Sequence, residues 1–298
     1  MNLVVVGSVA LDSVKTPYGE VKNVLGGSAV YASMASKNFC KTHIVGVIGS
    51  DFPEEHINLL NENSICCKGL EIKPGKTFFW KGVYDNSNNP ETLDTQLNVF
   101  ANFNPKIPLD YHKYEYLLLG NIDPILQLNI LEQMENPIVT SCDTMNFWIS
   151  GKRSELLEVI NRVDILFINE DEIKMLTNQQ NIFKAAEIAK SYGPRLIVIK
   201  RGEYGSMVKS KDFIFFAPVY PVREVVDPTG AGDCFAGGFM GYIASQNKFN
   251  NDTIKKALIY GTIAASFCIE SFSLERLKEI NIKMIELRKE ELKKSMIF

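Results

Sequence analysis

Residues 225–242 of this 298-residue chain read V-V-D-P-T-G-A-G-D-C-F-A-G-G-F-M-G-Y. The preceding run, residues 213–219, is strand-like, whereas residues 234–244 are apolar and small and predict a buried helix. Three residues with little or no side chain lie at the junction: Gly230, Ala231 and Gly232. Asp233 follows them. The stretch therefore predicts a strand, a turn and a helix whose first turn a ligand can approach closely.

The start of this helix has the chemistry of an anion site. A helix start leaves backbone N–H groups unpaired and carries roughly +0.5 of an elementary charge. Small residues there let a phosphate come close to the backbone. Asp233 would stand beside that anion, which suits removal of a proton from a nucleophile while charge develops on a phosphoryl group. The alternative is an ordinary Asp-capped helix behind a glycine-containing turn.

The segment D-P-T-G-A-G-D-C-F-A-G-G-F, residues 227–239, resembles the signature of the ribokinase-like (PfkB) family of carbohydrate and nucleoside kinases. The resemblance implies that Asp233 is the catalytic base and that the G-A-G backbone is the anion hole for the transferred phosphoryl group. It also implies ATP and Mg²⁺ as cofactors. Motifs in the family's order extend from Gly7 to about residue 269.

Composition limits the other function classes. The chain is 46 % hydrophobic and 22 % charged, as in ordinary soluble proteins, and it is long enough for one large α/β domain or two medium ones. The net charge of −3, without a basic block, argues against nucleic acid as a partner. No apolar run approaches the ~20 residues of a membrane span, and the N-terminus reads as a core strand. Six cysteines without a C-x-x-C pair favour a cytoplasmic location.

The N-terminal third contains a candidate acceptor site. Residues 3–9 predict a buried strand, and Asp12 would lie just past its end, where open α/β sheets bind ligands. A turn residue is the alternative. The resemblance implies that Asp12, Gly26 and Gly27 bind the acceptor. Tyr31 stands where ribose-type members carry Asn, and its ring can stack or donate one hydrogen bond.

Two aromatic or alternating segments, residues 76–84 and 93–103, predict antiparallel strands outside the main sheet, joined by a loop at 85–90. We expect a single kinase domain over residues 1–298, with a small β lid inserted from about 13–25 and 75–104. The aromatic face of such a lid needs a cover: the substrate, the parent domain or a second subunit in a homodimer. A hairpin packed permanently on the core is the alternative.

The rest of the chain alternates between strand and helix patterns. This alternation predicts a doubly wound, mostly parallel sheet flanked by helices, with right-handed crossovers. The predicted strands are residues 43–49, 65–72, 116–119, 138–142, 163–168 and 195–200. The predicted helices are residues 52–62, 124–134, 152–161, 182–191, 252–269 and 273–294.

Four further residues after the strands are candidate nucleotide ligands. Asn169 and Glu172 match an N-x-x-E pattern that, in the resembling family, orders the Mg²⁺–water–phosphate cluster, so Glu172 is expected to hold Mg²⁺ through water. A helix N-terminus rich in acids is the alternative. Gly202 and Gly205 match the G-x-x-G that cradles the nucleotide in the family.

Lys200 stands where ribokinase has Thr, and we expect it to contact a nucleotide phosphate. Thr229, Gly230 and Gly232 belong to the signature and are expected to bind ATP as well. The resemblance implies that the helix with Gly261 forms a wall of the adenine pocket, and a plain core helix is the alternative for most of its residues. Asp143 ends a predicted strand and is a further pocket position.

These residues favour an ATP-dependent kinase that transfers the γ-phosphate to a hydroxyl of a sugar or related polyol. A nucleoside kinase of the same family is the alternative. Aromatic side chains that could stack on a nucleobase favour it slightly, namely those of Tyr31, Phe78, Phe79, Trp80 and Tyr84. A non-catalytic ligand-sensing protein on the same scaffold is a further alternative. A P-loop NTPase is excluded because the chain has no G-x-x-x-x-G-K-[ST] motif.

Overall fold

The computed structural model describes residues 1–85 and 90–296. Residues 86–89, the centre of the predicted loop 85–90, therefore lie outside the described residues. The strands of the described part are β1 (Asn2–Val6), β2 (Ala10–Thr16), β3 (Gly19–Gly26), β4 (Lys41–Gly49), β5 (Ile65–Lys73), β6 (Phe78–Val83), β7 (Glu91–Gln96), β8 (Tyr116–Leu119), β9 (Val139–Cys142), β10 (Ile165–Asn169), β11 (Leu196–Lys200), β12 (Ser206–Lys209) and β13 (Ile214–Ala217).

The helices of the same residues are α1 (Ser28–Ser36), α2 (Glu54–Glu62), α3 (Pro124–Gln133), α4 (Asn146–Gly151), α5 (Arg153–Arg162), α6 (Glu170–Thr177), α7 (Ile182–Ser191), α8 (Ala231–Gln246), α9 (Asn251–Cys268) and α10 (Ile282–Ser295). None of the helices in the described part is long and apolar enough to span a bilayer.

Nine strands form the main sheet in the order β13-β12-β11-β10-β9-β8-β1-β4-β5. The seven strands from β11 to β5 in this order are parallel to their neighbours, and β12 and β13 add an antiparallel edge. The period of two in a strand sends Val4 and Val5 to opposite faces, and each is fully buried there. This agrees with the continuous apolar runs in the sequence, which are typical of strands covered by helices on both sides.

One face of the main sheet is covered by α1, α8 and α9, which share a hydrophobic cluster with Val5 and Phe167. The other face is covered by α3, α5, α6 and α7, which share a second cluster with Val4 and Leu166. The doubly wound, mostly parallel sheet flanked by helices is thus confirmed. Because the strands are parallel, the carboxyl ends of β9, β10 and β11 meet at one edge, which we call the carboxyl edge.

A second sheet, here called the lid sheet, has the strand order β3-β2-β6-β7. The pairs β2–β3 and β6–β7 are antiparallel, whereas β2 and β6 are parallel. Residues 14–24, within the expected lid segment 13–25, form the end of β2, a short turn and most of β3. The predicted single strand 3–9 ends at Val6, and a new strand begins at Ala10. Asp12 consequently lies within β2 of the lid sheet and not beyond the end of a main-sheet strand.

Other boundaries also differ from the sequence patterns. The predicted strand 93–103 is the shorter β7 followed by a 3₁₀ turn at Asn98–Asn102. The predicted helix 273–294 begins only at Ile282, because the Asn281 side chain caps it by accepting from the N–H groups of Lys283 and Met284. Helix α4 and strand β12 had no separate prediction, and the start of α6 was named only as the alternative reading of residues 169–172.

Candidate active site

Helix α8 begins without a side-chain cap, at a glycine in the left-handed region. Gly230 has φ 76° and ψ 0°, and an added Cβ would lie 2.3 Å from the ring of Tyr31. The Ala231 N–H donates to the Pro228 carbonyl at 3.2 Å. Among the described residues, the N–H groups of Gly232 and Asp233 have no such partner. The helix start thus presents open N–H groups to an anion, but the N–H of Ala231 is already used.

Asp233 lies in the first turn of α8, and its carboxyl group is poised to titrate near neutrality. Burial raises its pKa to about 7, the charge of Asp143 adds to the increase, and the ammonium of Lys200 opposes it. A carboxyl group with such a pKa can accept a proton at neutral pH better than a fully exposed one. The position and the environment of Asp233 are therefore compatible with the predicted role of a general base.

Two oppositely charged side chains, those of Lys200 and Asp143, meet at the carboxyl edge beside the start of α8. Lys200 ends β11, and Asp143 directly follows β9. The Lys200 ammonium lies 2.5 Å from Oδ2 of Asp143, whose Oδ1 accepts from the Thr144 N–H at 2.9 Å. An added Cβ at Gly232 would lie 3.2 Å from Lys200 Nζ. Lys200 thus contacts Asp143 and lies against the first turn of α8.

Sequence reasoning named both residues but not their contact, because 57 residues separate them. Their shared position, directly after or at the end of a buried parallel strand, was the available signal. Parallel strands deliver such residues to one edge of a sheet.

Asn169 and Glu172 form a capping box at the start of α6. Oδ1 of Asn169 accepts from the Glu172 N–H at 2.8 Å, and Oε2 of Glu172 accepts from the Asn169 N–H at 2.8 Å. This is the acid-rich helix start that the sequence left open as an alternative. Burial raises the pKa of Glu172 to about 7, partly offset by Lys200.

The donor set around Glu172 fits a metal held mainly by other ligands. Oε1 of Glu172 accepts no hydrogen bond from the residues described here. No group of three or more His, Cys, Asp or Glu side chains in residues 1–85 and 90–296 could enclose a metal ion. Mg²⁺ usually keeps several waters and binds through one or two carboxylates together with substrate phosphates. Glu172 therefore suits an indirect contact rather than a closed protein site.

The G-x-x-G residues form the turn between β11 and β12. Gly202 is exposed with φ 53°, and Gly205 has φ 81°, where an added Cβ would lie 2.2 Å from the Ala217 carbonyl. Gly261 lies where α9 crosses α8, since an added Cβ would be 2.8 Å from the Phe235 carbonyl. Thr229 donates through Oγ1 to the hydroxyl of Tyr84 at 3.2 Å. Close packing of α9 on α8 accounts for the glycine at position 261, and the hydrogen bond to Tyr84 gives Thr229 a structural role besides any contact with ATP.

Asp12, on β2 of the lid sheet, is buried and lies near Asp227 and Asp233, which flank the start of α8. Gly26 leaves room for its carboxyl group, because an added Cβ there would lie 1.8 Å from Oδ2. Burial raises the pKa of Asp12 to about 8, the charges of Asp227 and Asp233 contribute, and a hydrogen bond from the Gly27 N–H opposes the shift. Tyr31 is only 2 % exposed, with its ring beneath Gly230. The predicted acceptor residues and the predicted base thus converge.

A cavity of about 400 Å³ lies nearby but on the other side of the lid sheet. Leu11 and Phe79 line it and are paired neighbours in the register, so they alternate with Asp12 and Trp80. The cavity therefore does not open on the face that carries Asp12.

The chain from residue 1 to residue 279 matches the model of the pfkB family of carbohydrate kinases. It belongs to this family. A cytidine kinase of Thermococcus kodakarensis is 34 % identical over 246 residues, which cover 80 % of this chain and 87 % of that protein. A ribokinase of Lactococcus lactis is 27 % identical over 314 residues, covering 95 % and 97 %. The chain is therefore an ATP-dependent kinase of a sugar or nucleoside hydroxyl, which sets the sensing-protein alternative aside.

A solved structure of this pfkB-family fold supports the architecture. The structure of a putative ribokinase II from Escherichia coli, in complex with ATP and Mg²⁺, has a TM-score of 0.80 to this chain. The two are 17 % identical, and the alignment covers 97 % of this chain and 99 % of the other. At that identity the similarity establishes the fold alone.

Proposed function

We propose that this kinase transfers the γ-phosphate of ATP to a hydroxyl of a nucleoside. The observation that carries the proposal is the pairing of Asp12 with Trp80 on one face of the lid sheet. A carboxyl group can bind ribose hydroxyls, and an indole ring beside it can stack on a nucleobase. The cytidine kinase of Thermococcus kodakarensis, 34 % identical, supports a nucleoside over a free sugar.

The inner face of the lid sheet is defined by Asp12, Trp80 and Tyr84. Asp12 on β2 and Trp80 on β6 are partners in the strand register. Tyr84 lies four residues after Trp80, and its hydroxyl accepts a hydrogen bond from Thr229 in the loop before α8. Alternate side chains of a strand point to the same face, so Trp80 faces the same side as these two.

The Trp80 ring is fixed without being covered. Gly82 leaves space for it, because an added Cβ would lie 2.3 Å from the indole, and Nε1 donates to Thr92 Oγ1 at 3.3 Å. The side chain is half-buried. A flat apolar ring held in this way costs little ordering entropy when a base stacks on it.

In the proposed reaction, Asp12, the Gly26–Gly27 backbone and Tyr31 hold the acceptor, and Asp233 takes the proton from its reacting hydroxyl. The N–H groups of Gly230, Gly232 and Asp233 stabilise the charge on the phosphoryl group. The donor ATP is held by residues at the carboxyl edge and by the signature: Asn169, Lys200, Gly202, Gly205, Thr229 and Gly261. Closure of the lid sheet excludes water and limits hydrolysis of ATP.

The proposal includes Mg²⁺ with the ATP. Glu172 would hold it through water, and the ion would offset the charge of the phosphates and orient them.

We further propose a cytoplasmic, single-domain protein that forms a homodimer through the lid sheet. All six cysteines are free, which suits a reducing compartment. Tyr18, Leu93 and Leu97 are each about half exposed on or next to the lid strands, and a second copy would cover them. Sedimentation equilibrium would test the dimer, and a monomer at micromolar concentration would overturn it.

The test of the acceptor is ADP release from Mg-ATP with cytidine, adenosine, ribose, fructose, an inositol and fructose 6-phosphate. We expect stimulation by a nucleoside, and we expect Trp80→Ala to raise its KM about tenfold or more while Trp80→Phe retains most of the affinity. Stimulation by a free sugar alone, unaffected by Trp80→Ala, would establish a sugar kinase instead.

A further inference from the structure

The Lys200–Asp143 pair has a position that ATP binding alone does not explain. We infer that Lys200 is a catalytic residue that binds the transferred phosphoryl group, and that Asp143 is the positioning residue that holds the ammonium against the start of α8. This inference rests on the kinase site proposed above, but it does not depend on the identity of the acceptor.

The location of the ammonium is the first argument. The Lys200 side chain runs over Gly232, where an added Cβ would be 3.2 Å from Nζ and 3.8 Å from Cδ and Cε. The N–H groups of Gly232 and Asp233 open in the same first turn of α8. A phosphoryl group bound by these N–H groups would therefore lie within reach of Nζ.

The unused donors of Lys200 are the second argument. An ammonium group has three N–H donors, and Asp143 Oδ2 takes one of them. Across residues 1–85 and 90–296, Nζ makes no other hydrogen bond. The Lys200 side chain is 18 % exposed, so water covers little of it, and its remaining donors suit phosphate oxygens.

The surrounding charge is the third argument. Burial lowers the pKa of Lys200, but the carboxylates of Asp143, Glu172 and Asp233 outweigh it and keep the group protonated. These three acids would repel the phosphates of ATP without a cation among them. Lys200 can offset that repulsion at the point where the phosphoryl charge develops.

Asp143, the partner of Lys200, is itself fixed by burial and by hydrogen bonds. Its side chain is 4 % exposed, the Thr144 N–H binds its other oxygen, and the Asp143 carbonyl accepts from the Gln127 side chain at 3.0 Å. Such an anchored carboxylate restricts a flexible lysine to one direction, so less entropy is lost when phosphate binds.

The test uses the full-length chain with Lys200→Met, Lys200→Arg, Asp143→Asn and Gly232→Ala. Calorimetry measures the Kd of a non-hydrolysable ATP analogue and of ADP with Mg²⁺, which needs no acceptor. We expect Lys200→Met to weaken the analogue about tenfold and ADP less than threefold, because ADP lacks the transferred group. Lys200→Arg should retain most of the analogue's affinity.

Turnover supplies a second readout with whichever acceptor stimulates ADP release. We expect Lys200→Met to lower kcat about 100-fold with a smaller change in KM for ATP, as for loss of one donor to the transition state. Asp143→Asn and Gly232→Ala should each lower kcat about tenfold, because each displaces the ammonium while leaving it present. Gly151→Ala is the matched control, since an added Cβ there meets nothing within 4 Å.

Equal losses for the analogue and for ADP in Lys200→Met would overturn the inference, and so would an unchanged kcat. If Lys200→Met does not fold, wild-type kcat in both Asp143→Asn and Gly232→Ala would overturn it instead. Failure of every acceptor to stimulate ADP release would count against the proposed function alone, because the binding comparison stands without it.

Discussion

Oγ1 of Thr229 donates a hydrogen bond to the hydroxyl of Tyr84 at 3.2 Å, and this bond joins the loop before α8 to the lid sheet. The N–H of Thr229 is bonded to Oδ1 of Asp227, so the loop side of the contact is fixed. The N–H of Tyr84 donates to the Lys15 carbonyl on β2, so the lid side is fixed as well. The lid sheet and the loop before α8 are therefore linked by side chains that are far apart in sequence.

Replacing Tyr84 by Phe removes this bond and little else. Loss of one neutral hydrogen bond corresponds to about 0.5–1.5 kcal/mol, so we expect the KM of the acceptor to rise about 2- to 10-fold with kcat nearly unchanged. Steady-state kinetics measure both constants. Tyr18→Phe is the control, because Tyr18 is 52 % exposed on the same sheet. An equal effect of both variants would argue against the link.

The parts of the fold that the sequence predicts well have strong local signals. The strand Tyr116–Leu119 and the helix Ile182–Ser191 were predicted at their observed bounds. A buried strand and an amphipathic helix each have a recognisable hydrophobic pattern within a few residues. The glycine-rich start of α8 was likewise readable, since small residues beside an acid leave few structural alternatives.

The contacts of the site are less predictable because they join distant segments. Asp12 was predicted to lie just past the end of the first strand, but it belongs to β2 of the lid sheet and pairs with Trp80 of β6. The break after Val6 falls at Gly7 and Ser8, but these two residues within an otherwise apolar run do not by themselves show that the strand ends there. The bonds of Lys200 with Asp143 and of Thr229 with Tyr84 likewise depend on tertiary structure alone.

Asp233→Asn should separate proton transfer from ATP binding. An amide cannot accept the hydroxyl proton, so we expect kcat to fall roughly 10²- to 10⁴-fold while ATP binding is largely kept. ADP release and calorimetry measure the two effects. Asp252→Asn, at the exposed start of α9, is the control. Turnover like that of the unchanged enzyme would remove Asp233 from its assigned role.

The pH dependence of kcat/KM should report the same group. Burial and Asp143 raise the pKa of Asp233 to about 7 against the opposing charge of Lys200, and Asp12 is a further acid facing it. The base is active only when it is ionised. We therefore expect kcat/KM to rise with pH up to about 7 and then level off, before other groups titrate. A flat profile between pH 5.5 and 8.5, measured as initial rates at low acceptor concentration, would contradict this assignment.

Substitution of Gly230 by Val should destabilise the fold and not merely block the anion site. Blocking of the anion site is the simpler expectation for a larger side chain at this position, but an added Cβ would lie 2.3 Å from the ring of Tyr31. A non-glycine residue in the left-handed region costs about 1–3 kcal/mol before any clash is counted. We expect urea unfolding to show at least this loss, together with a lower kcat. An unchanged unfolding midpoint with a lost kcat would restore the blocking explanation.

Asp12→Asn should make the protein more stable at high pH while it weakens acceptor binding. The pKa of Asp12 rises from 3.8 to about 8 on folding, mainly through burial, so the folded state binds this proton more tightly than the unfolded state. Stability is therefore lost as pH rises from 3.8 to about 8, and the full loss persists above that. Asn carries no such charge.

Thermal melts of both proteins across pH 4 to 9 would measure the difference, in which the other titrating groups largely cancel. We expect the advantage of Asp12→Asn to grow from about pH 4 to about pH 8 and then stay constant, while the KM of the acceptor rises about tenfold because the carboxyl group no longer binds its hydroxyls. Asp94→Asn on β7 is the control for removing an acid from the lid sheet. A stability difference that stays constant across this range would show that Asp12 ionises as readily in the folded protein as in the unfolded chain, and one that shrinks would show that it ionises more readily there.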